Sequence, residues 1–139
     1  MTTQRWIGSA TALTLITVCF VACSYLYDPS ERKLAGGYYL QRWEDGKTYY
    51  IEKKGKSEKG EQGGGVINGT VEQIGWNADY ILVRRRSTFR GDPDGWMVLQ
   101  VKGRSEVMKG PYNDEAMRQL PEGKGMRFMT PQEAWESLR

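Results

Sequence analysis

The stretch "NADYILVRRRSTFRGDPDGWMVLQV", residues 77 to 101, decides the fold. Tyr80 to Val83 is an unbroken apolar run, bounded by Asn77-Ala78-Asp79 before it and three arginines after it. A short continuous run of this kind suits a strand buried on both faces, so it predicts a central strand. "FRGDPDG" then gathers Gly, Pro and Asp, the residues that reverse a chain. The next apolar run, Trp96 to Val101, is the natural antiparallel partner. Asn77-Ala78-Asp79 reads as a tight connection from the strand upstream, and Asn68-Gly69 is a further turn signal. Residues 66 to 87 therefore carry two or three strands.

Nearer the N-terminus, "GGYYLQRWEDGKTYYIEKKG" places two aromatic segments around Asp45-Gly46, which is a hairpin signature. The strands run from about Tyr38 to Trp43 and from about Lys47 to Lys53. Side chains alternate along a strand, so Tyr39, Gln41 and Trp43 share one face and Tyr38, Leu40 and Arg42 the other. Neither face is purely apolar, and both remain open as the buried one. Residues 52 to 65, "EKKGKSEKGEQGGG", hold no apolar side chain and read as a mobile loop. A phosphate-binding loop needs a fixed glycine spacing leading into a helix with Lys and Ser/Thr in register, which is absent.

The last third changes character. "GPYNDEAMRQL" predicts a short helix capped by Asn113, with Asp114 and Glu115 in its first turn. Thr130-Pro131-Gln132-Glu133 is a capping box with Pro at the first helical position, opening a helix through Trp135 and Leu138. The expectation is a mainly β (α+β) fold: a five- to six-stranded antiparallel meander with two short C-terminal helices, preceded by an N-terminal signal or anchor helix. At 139 residues the chain has room for one domain.

Composition removes several functions. The chain has no histidine, so the commonest general base and metal ligand are missing. A net charge of +3 is too mild for nucleic-acid binding, which is not expected. Asp92-Pro93-Asp94-Gly95 opens like a calcium loop, but no bidentate Glu follows at the needed offset, and a β-turn explains it. Nothing singles out a catalytic pair among 17 acidic residues. No enzyme, cofactor or metal is expected.

The first 23 residues, "MTTQRWIGSATALTLITVCFVAC", have one basic residue, Arg5, and then no charge from Trp6 to Ala22. This is the layout of a secretory signal peptide. Its end, Phe20-Val21-Ala22-Cys23, resembles the lipobox of bacterial lipoproteins, with Val21 and Ala22 fitting and Phe20 standing where Leu is preferred. The resemblance implies diacylglycerol on Cys23, cleavage before it and acylation of the new amino terminus; Cys19 leaves with the signal. Several acyl chains hold a protein on a bilayer far more firmly than one. Ser24 implies export to the outer membrane. The alternatives are an uncleaved transmembrane helix from Trp6 to about Tyr27 and a buried helix of a soluble domain. In both membrane readings Arg5 favours a cytoplasmic N-terminus, with the rest of the chain in the periplasm. The organisation is then a signal peptide at 1–22, a tether at 23–35 and one β-rich domain at 36–139.

A second resemblance, over about Gly37 to Leu120, is to small uncharacterised domains of bacterial lipoproteins. It rests on G-Y-Y-L, N-x-x-Y-I-L-V, W-x-V-L and G-P-Y-N-D-E, and it implies fold and export but no activity.

Two sets of residues are candidates for contact. Arg84, Arg85 and Arg86, with Arg90 nearby, form the one basic cluster; Arg84 and Arg86 share a strand face, and Arg85 takes the other. They suit either an anionic envelope ligand or a charged strand end that discourages edge pairing. Trp43, Trp76 and Trp96, with Tyr49 and Tyr50, are mostly core, and one or two left exposed make an interface hot spot. The expected function is a lipid-anchored, non-enzymatic module working by protein–protein contact. A small basic lipoprotein of this layout resembles immunity proteins against secreted antibacterial effectors, and equally the accessory lipoproteins of envelope complexes. The alternatives are a module binding an anionic ligand through Arg84, Arg86 and Arg90, and a single-span membrane protein.

Overall fold

The computed structural model describes residues 30–54, 66–67, 69–88, 90–103 and 107–139. The expected signal or anchor helix, Cys23 and most of the glycine-rich loop lie outside the described residues. The first sheet is a meander of β1 (Glu31–Lys33), β2 (Tyr38–Arg42) and β3 (Tyr49–Lys53). The second is a meander of β4 (Thr70–Trp76), β5 (Tyr80–Arg86), β6 (Gly95–Gln100) and β7 (Met108–Tyr112). Two short helices follow, α1 (Asp114–Gln119) and α2 (Pro131–Ser137), with a 3-10 turn at Pro121–Gly123 between them. The mainly β class with two small C-terminal helices stands. Among the described residues the strands number seven and divide into two sheets, the division falling at the segment without apolar side chains. β1 lies within the stretch read as tether; its sequence, Glu-Arg-Lys, carries no apolar signal for a strand.

The turns and caps expected at Asp45, Asn77, Asn113 and Thr130 are made by those side chains. Asp45 accepts from the backbone N–H of Lys47 and Thr48, both at 2.8 Å, and from the Thr48 hydroxyl. Asn77 accepts from the N–H groups of Asp79 and Tyr80 at 2.8 Å, closing β4 onto β5. Asn113 caps α1 by accepting from Ala116 N at 2.8 Å. The Thr130 hydroxyl and the Glu133 carboxylate form both arms of the capping box on α2. The chain reverses between β5 and β6 at Arg90–Gly91, just ahead of the Asp-Pro-Asp-Gly segment where a β-turn was expected. Asp94 ties the two ends of the connection by accepting from Ser87 N at 2.7 Å, and Gly95 already opens β6.

β5 is an inner strand of its sheet, and its Ile81–Val83 segment is buried on both faces. Ile81 and Val83 pair with Leu99 and Met97 of β6 on one face, while Leu82 pairs with Val98 on the other. The first face joins Tyr38, Leu40, Tyr49 and Ile51 of the first sheet and Ala134 and Trp135 of α2 in one hydrophobic core. The other is covered by the C-terminal segment, where Phe128 meets Trp96 edge-on at 5.0 Å. Met129 bridges to Ile74 of β4 through two backbone hydrogen bonds, 2.9 and 3.0 Å. Gly75 permits this approach: a Cβ there would lie 2.8 Å from the Arg127 carbonyl oxygen. The face of β2 carrying Tyr38 and Leu40 is the buried one, even though Arg42 lies on it. Its guanidinium stacks over the Trp135 ring at 4.7 Å, so a cation tops the core by covering an indole.

Candidate functional site

Of the arginine cluster, Arg84 and Arg86 sit on the face of β5 opposite the main core and are held by acidic partners. A bulge between Val71 and Gln73 of β4 inserts one residue. Val71 and Ile74, three apart, therefore both reach the core, and Glu72 turns outward towards β5. Its carboxylate meets Arg84 Nη1 at 3.1 Å and Arg86 Nη2 at 2.8 Å. Asp114, the first residue of α1, meets Arg84 Nε at 3.3 Å and accepts from Trp96 Nε1 at 2.7 Å. These contacts fasten α1 to the face of the sheet on which Glu72 of β4 meets the arginines of β5. β5 has a partner on each side, so its arginines do not guard a sheet edge. Arg85 lies on the other face, 7% exposed, with Nη2 donating to the Pro93 carbonyl at 3.5 Å. Arg90 is exposed on the β5–β6 turn. The structure thus brings Arg84 and Arg86 together with Trp96, and joins neither Trp43 nor Trp76 to them through any described ring or hydrogen-bond contact.

The tryptophans divide. Trp96 is buried beneath Asp114 and Phe128, and Trp76 is half-buried against the main core. Trp135, on α2, is the largest fully buried side chain. It is flanked by the guanidinium groups of Arg32 and Arg42 at 4.5 and 4.7 Å and by the Tyr49 ring at 5.9 Å. The Tyr49 hydroxyl donates to Gln132 Oε1 at 2.5 Å, tying β3 to the same helix.

Trp43 is the exposed one among the described tryptophans, at 52%. It follows β2 on the outer face of the first sheet, where its ring meets Tyr50 edge-on at 6.1 Å. Tyr39 lies farther along that face beneath the Lys54 ammonium, 4.5 Å from its ring. The remaining large exposed apolar side chains among the described residues, Val107 and Met108, stand at β7. That strand ends the second sheet, and its first four residues are exposed. Sequence had named Trp43 and left its exposure open. It gave no sign of Val107 and Met108, because "EVMKGPY" reads only as an approach to the following helix.

Among the described residues, no group of three or more His, Cys, Asp or Glu is arranged to hold a metal ion, and no helix is long and apolar enough to cross a membrane. The described residues offer apolar and aromatic contact at two places, the outer face of the first sheet and the β7 edge. In comparisons with known proteins, no family model matches the chain, and neither a curated protein nor a solved structure matches it.

Proposed function

We propose that this protein is a membrane-attached, non-enzymatic module of the bacterial envelope that works by protein–protein contact. In this reading acyl chains on Cys23 hold it on the membrane, with the β-rich domain facing the periplasm. Its work there is that of an immunity protein or of an accessory to an envelope complex. One observation carries the contact reading over the anionic-ligand reading: Arg84 and Arg86 are ion-paired with Glu72 and Asp114, while bulky apolar side chains stay exposed. The two carboxylates offset the charge of the two guanidinium groups, which weakens the field that would draw an anion. The β7 edge, with Met108 47% exposed, suits a partner that adds a strand or covers the apolar pair. Lys109 and Pro111 on that strand weigh against indiscriminate pairing.

The test is site-specific photocrosslinking in cells, with a benzophenone side chain at Met108 and, as control, at Gln119 on the exposed side of α1. A discrete protein adduct from position 108 alone supports the reading. Equal, diffuse adducts from both positions would sink it.

A further inference from the structure

We propose that the Trp43–Tyr50 corner of the first sheet lies in the headgroup layer of the bilayer that holds the N-terminus. This rests on the membrane attachment proposed above. Three observations point to it. The first is where the chain enters the domain. Arg42 N donates to the Ser30 carbonyl at 2.8 Å, so the first described residue is paired beside Arg42, one position from Trp43. All 29 preceding residues, including the uncharged run from Trp6 to Ala22, join the domain at this end of the sheet.

The second is reach. Ser30 stands seven residues after Cys23, and seven extended residues span at most about 25 Å. A globular unit of roughly 100 residues has a radius of gyration of about 13 Å, hence a width of about 30 Å. A tether shorter than the domain is wide keeps the Ser30 end towards the lipid. The same limit applies, more tightly, to an uncleaved span reaching Tyr27.

The third is the chemistry and size of what stands there. Indole and phenol pair a broad apolar ring with one polar group, which suits the boundary between acyl chains and headgroups. The neighbouring turn carries Glu44, Asp45 and Lys47, with no excess of positive charge, so the contact is aromatic rather than electrostatic. Strands of three, five and five residues, at about 4.8 Å spacing and 3.3 Å per residue, make a face on the order of 200 Å². A stable protein interface takes about 800 Å² from each partner. That figure counts accessible surface, which exceeds a planar footprint because side chains stand in relief. A footprint about four times smaller still favours a bilayer already reached through the anchor over a second copy held by this face alone.

The test uses the chain purified from membranes, placed in phosphatidylcholine vesicles with and without a nitroxide-labelled headgroup. Flotation reads attachment. The fluorescence difference between the wild-type chain and Trp43→Phe isolates the Trp43 emission. The expected result is that both chains float and that the nitroxide removes most of the Trp43 component, equally with phosphatidylglycerol added and at high salt. Flotation with an unquenched Trp43 component overturns this inference and leaves the attachment standing. Concentration-dependent burial of Trp43 without lipid quenching overturns it in favour of a second copy. Quenching that needs anionic lipid overturns the aromatic basis. Failure to float overturns the attachment and this inference together.

Discussion

Arg32 and Trp135, 103 residues apart, are joined twice: Arg32 Nη1 donates to the Trp135 carbonyl oxygen at 2.5 Å, and the guanidinium stacks on the indole at 4.5 Å. The first strand and the last helix therefore close over one buried ring. Truncating a buried Trp costs about 3–5 kcal/mol, a large share of a small domain's stability, so Trp135→Ala is expected to unfold at much lower urea or not to fold. Arg32→Lys is expected to unfold at lower urea than the wild type, because an ammonium lacks the flat face that lies on the ring. Urea denaturation of the variants checks both.

Trp96 and Asp114 give a sharper comparison. Asp114→Ala leaves the indole N–H without its acceptor, and an unpaired buried donor costs about 1–3 kcal/mol. Asp114→Asn keeps an oxygen at that position and loses the charge. With the charge go the partly exposed ion pair with Arg84, worth about 0–1 kcal/mol, and the first-turn interaction with the helix, both of which the alanine variant loses too. The alanine variant is expected to melt below the asparagine variant. Equal melting temperatures would mean that the hydrogen bond contributes nothing.

Acid should loosen the α2 cap in a defined direction. The Thr130 backbone N–H, and then the Thr130 hydroxyl, hold the Glu133 carboxyl below the usual carboxylate range. A lowered folded pKa contributes stability that is fully present above the unfolded value, about 4.3, and is lost as pH falls through the folded value. Wild-type protein is thus expected to exceed Glu133→Gln in stability at neutral pH. The two should converge as the pH drops below the unfolded carboxylate range. Melting curves at a series of pH values check the sign, and a gap that widens in acid would contradict it.

Local chemistry was readable where a side chain dictates a turn or a cap. Asp45, Asn77, Asn113 and Thr130 each do what their type and spacing imply, and the apolar run at Tyr80–Val83 lies on an inner strand, buried on both faces over Ile81–Val83. Three things were hidden. Glu31–Lys33 is a strand because its backbone pairs with β2, not because its side chains are apolar. The period of β4 is broken by the bulge at Glu72, so "VEQI" shows no clean alternation although Val71 and Ile74 share the core. The partners of Arg84 and Arg86 come from residues 72 and 114 and meet only in the folded sheet; read along the chain, three consecutive arginines suggest free charge. Of the contact surface, Trp43 was named in advance, but its exposure depends on Arg42 and Trp135 making the opposite face of β2 the buried one.

The account's central claim is attachment through Cys23, and metabolic labelling with a fatty acid tests it most directly. The expected result is that label enters the protein and is lost in Cys23→Ala, with the wild-type chain in the membrane fraction. Label that persists in Cys23→Ala, or a wild-type chain that takes up none, would contradict it.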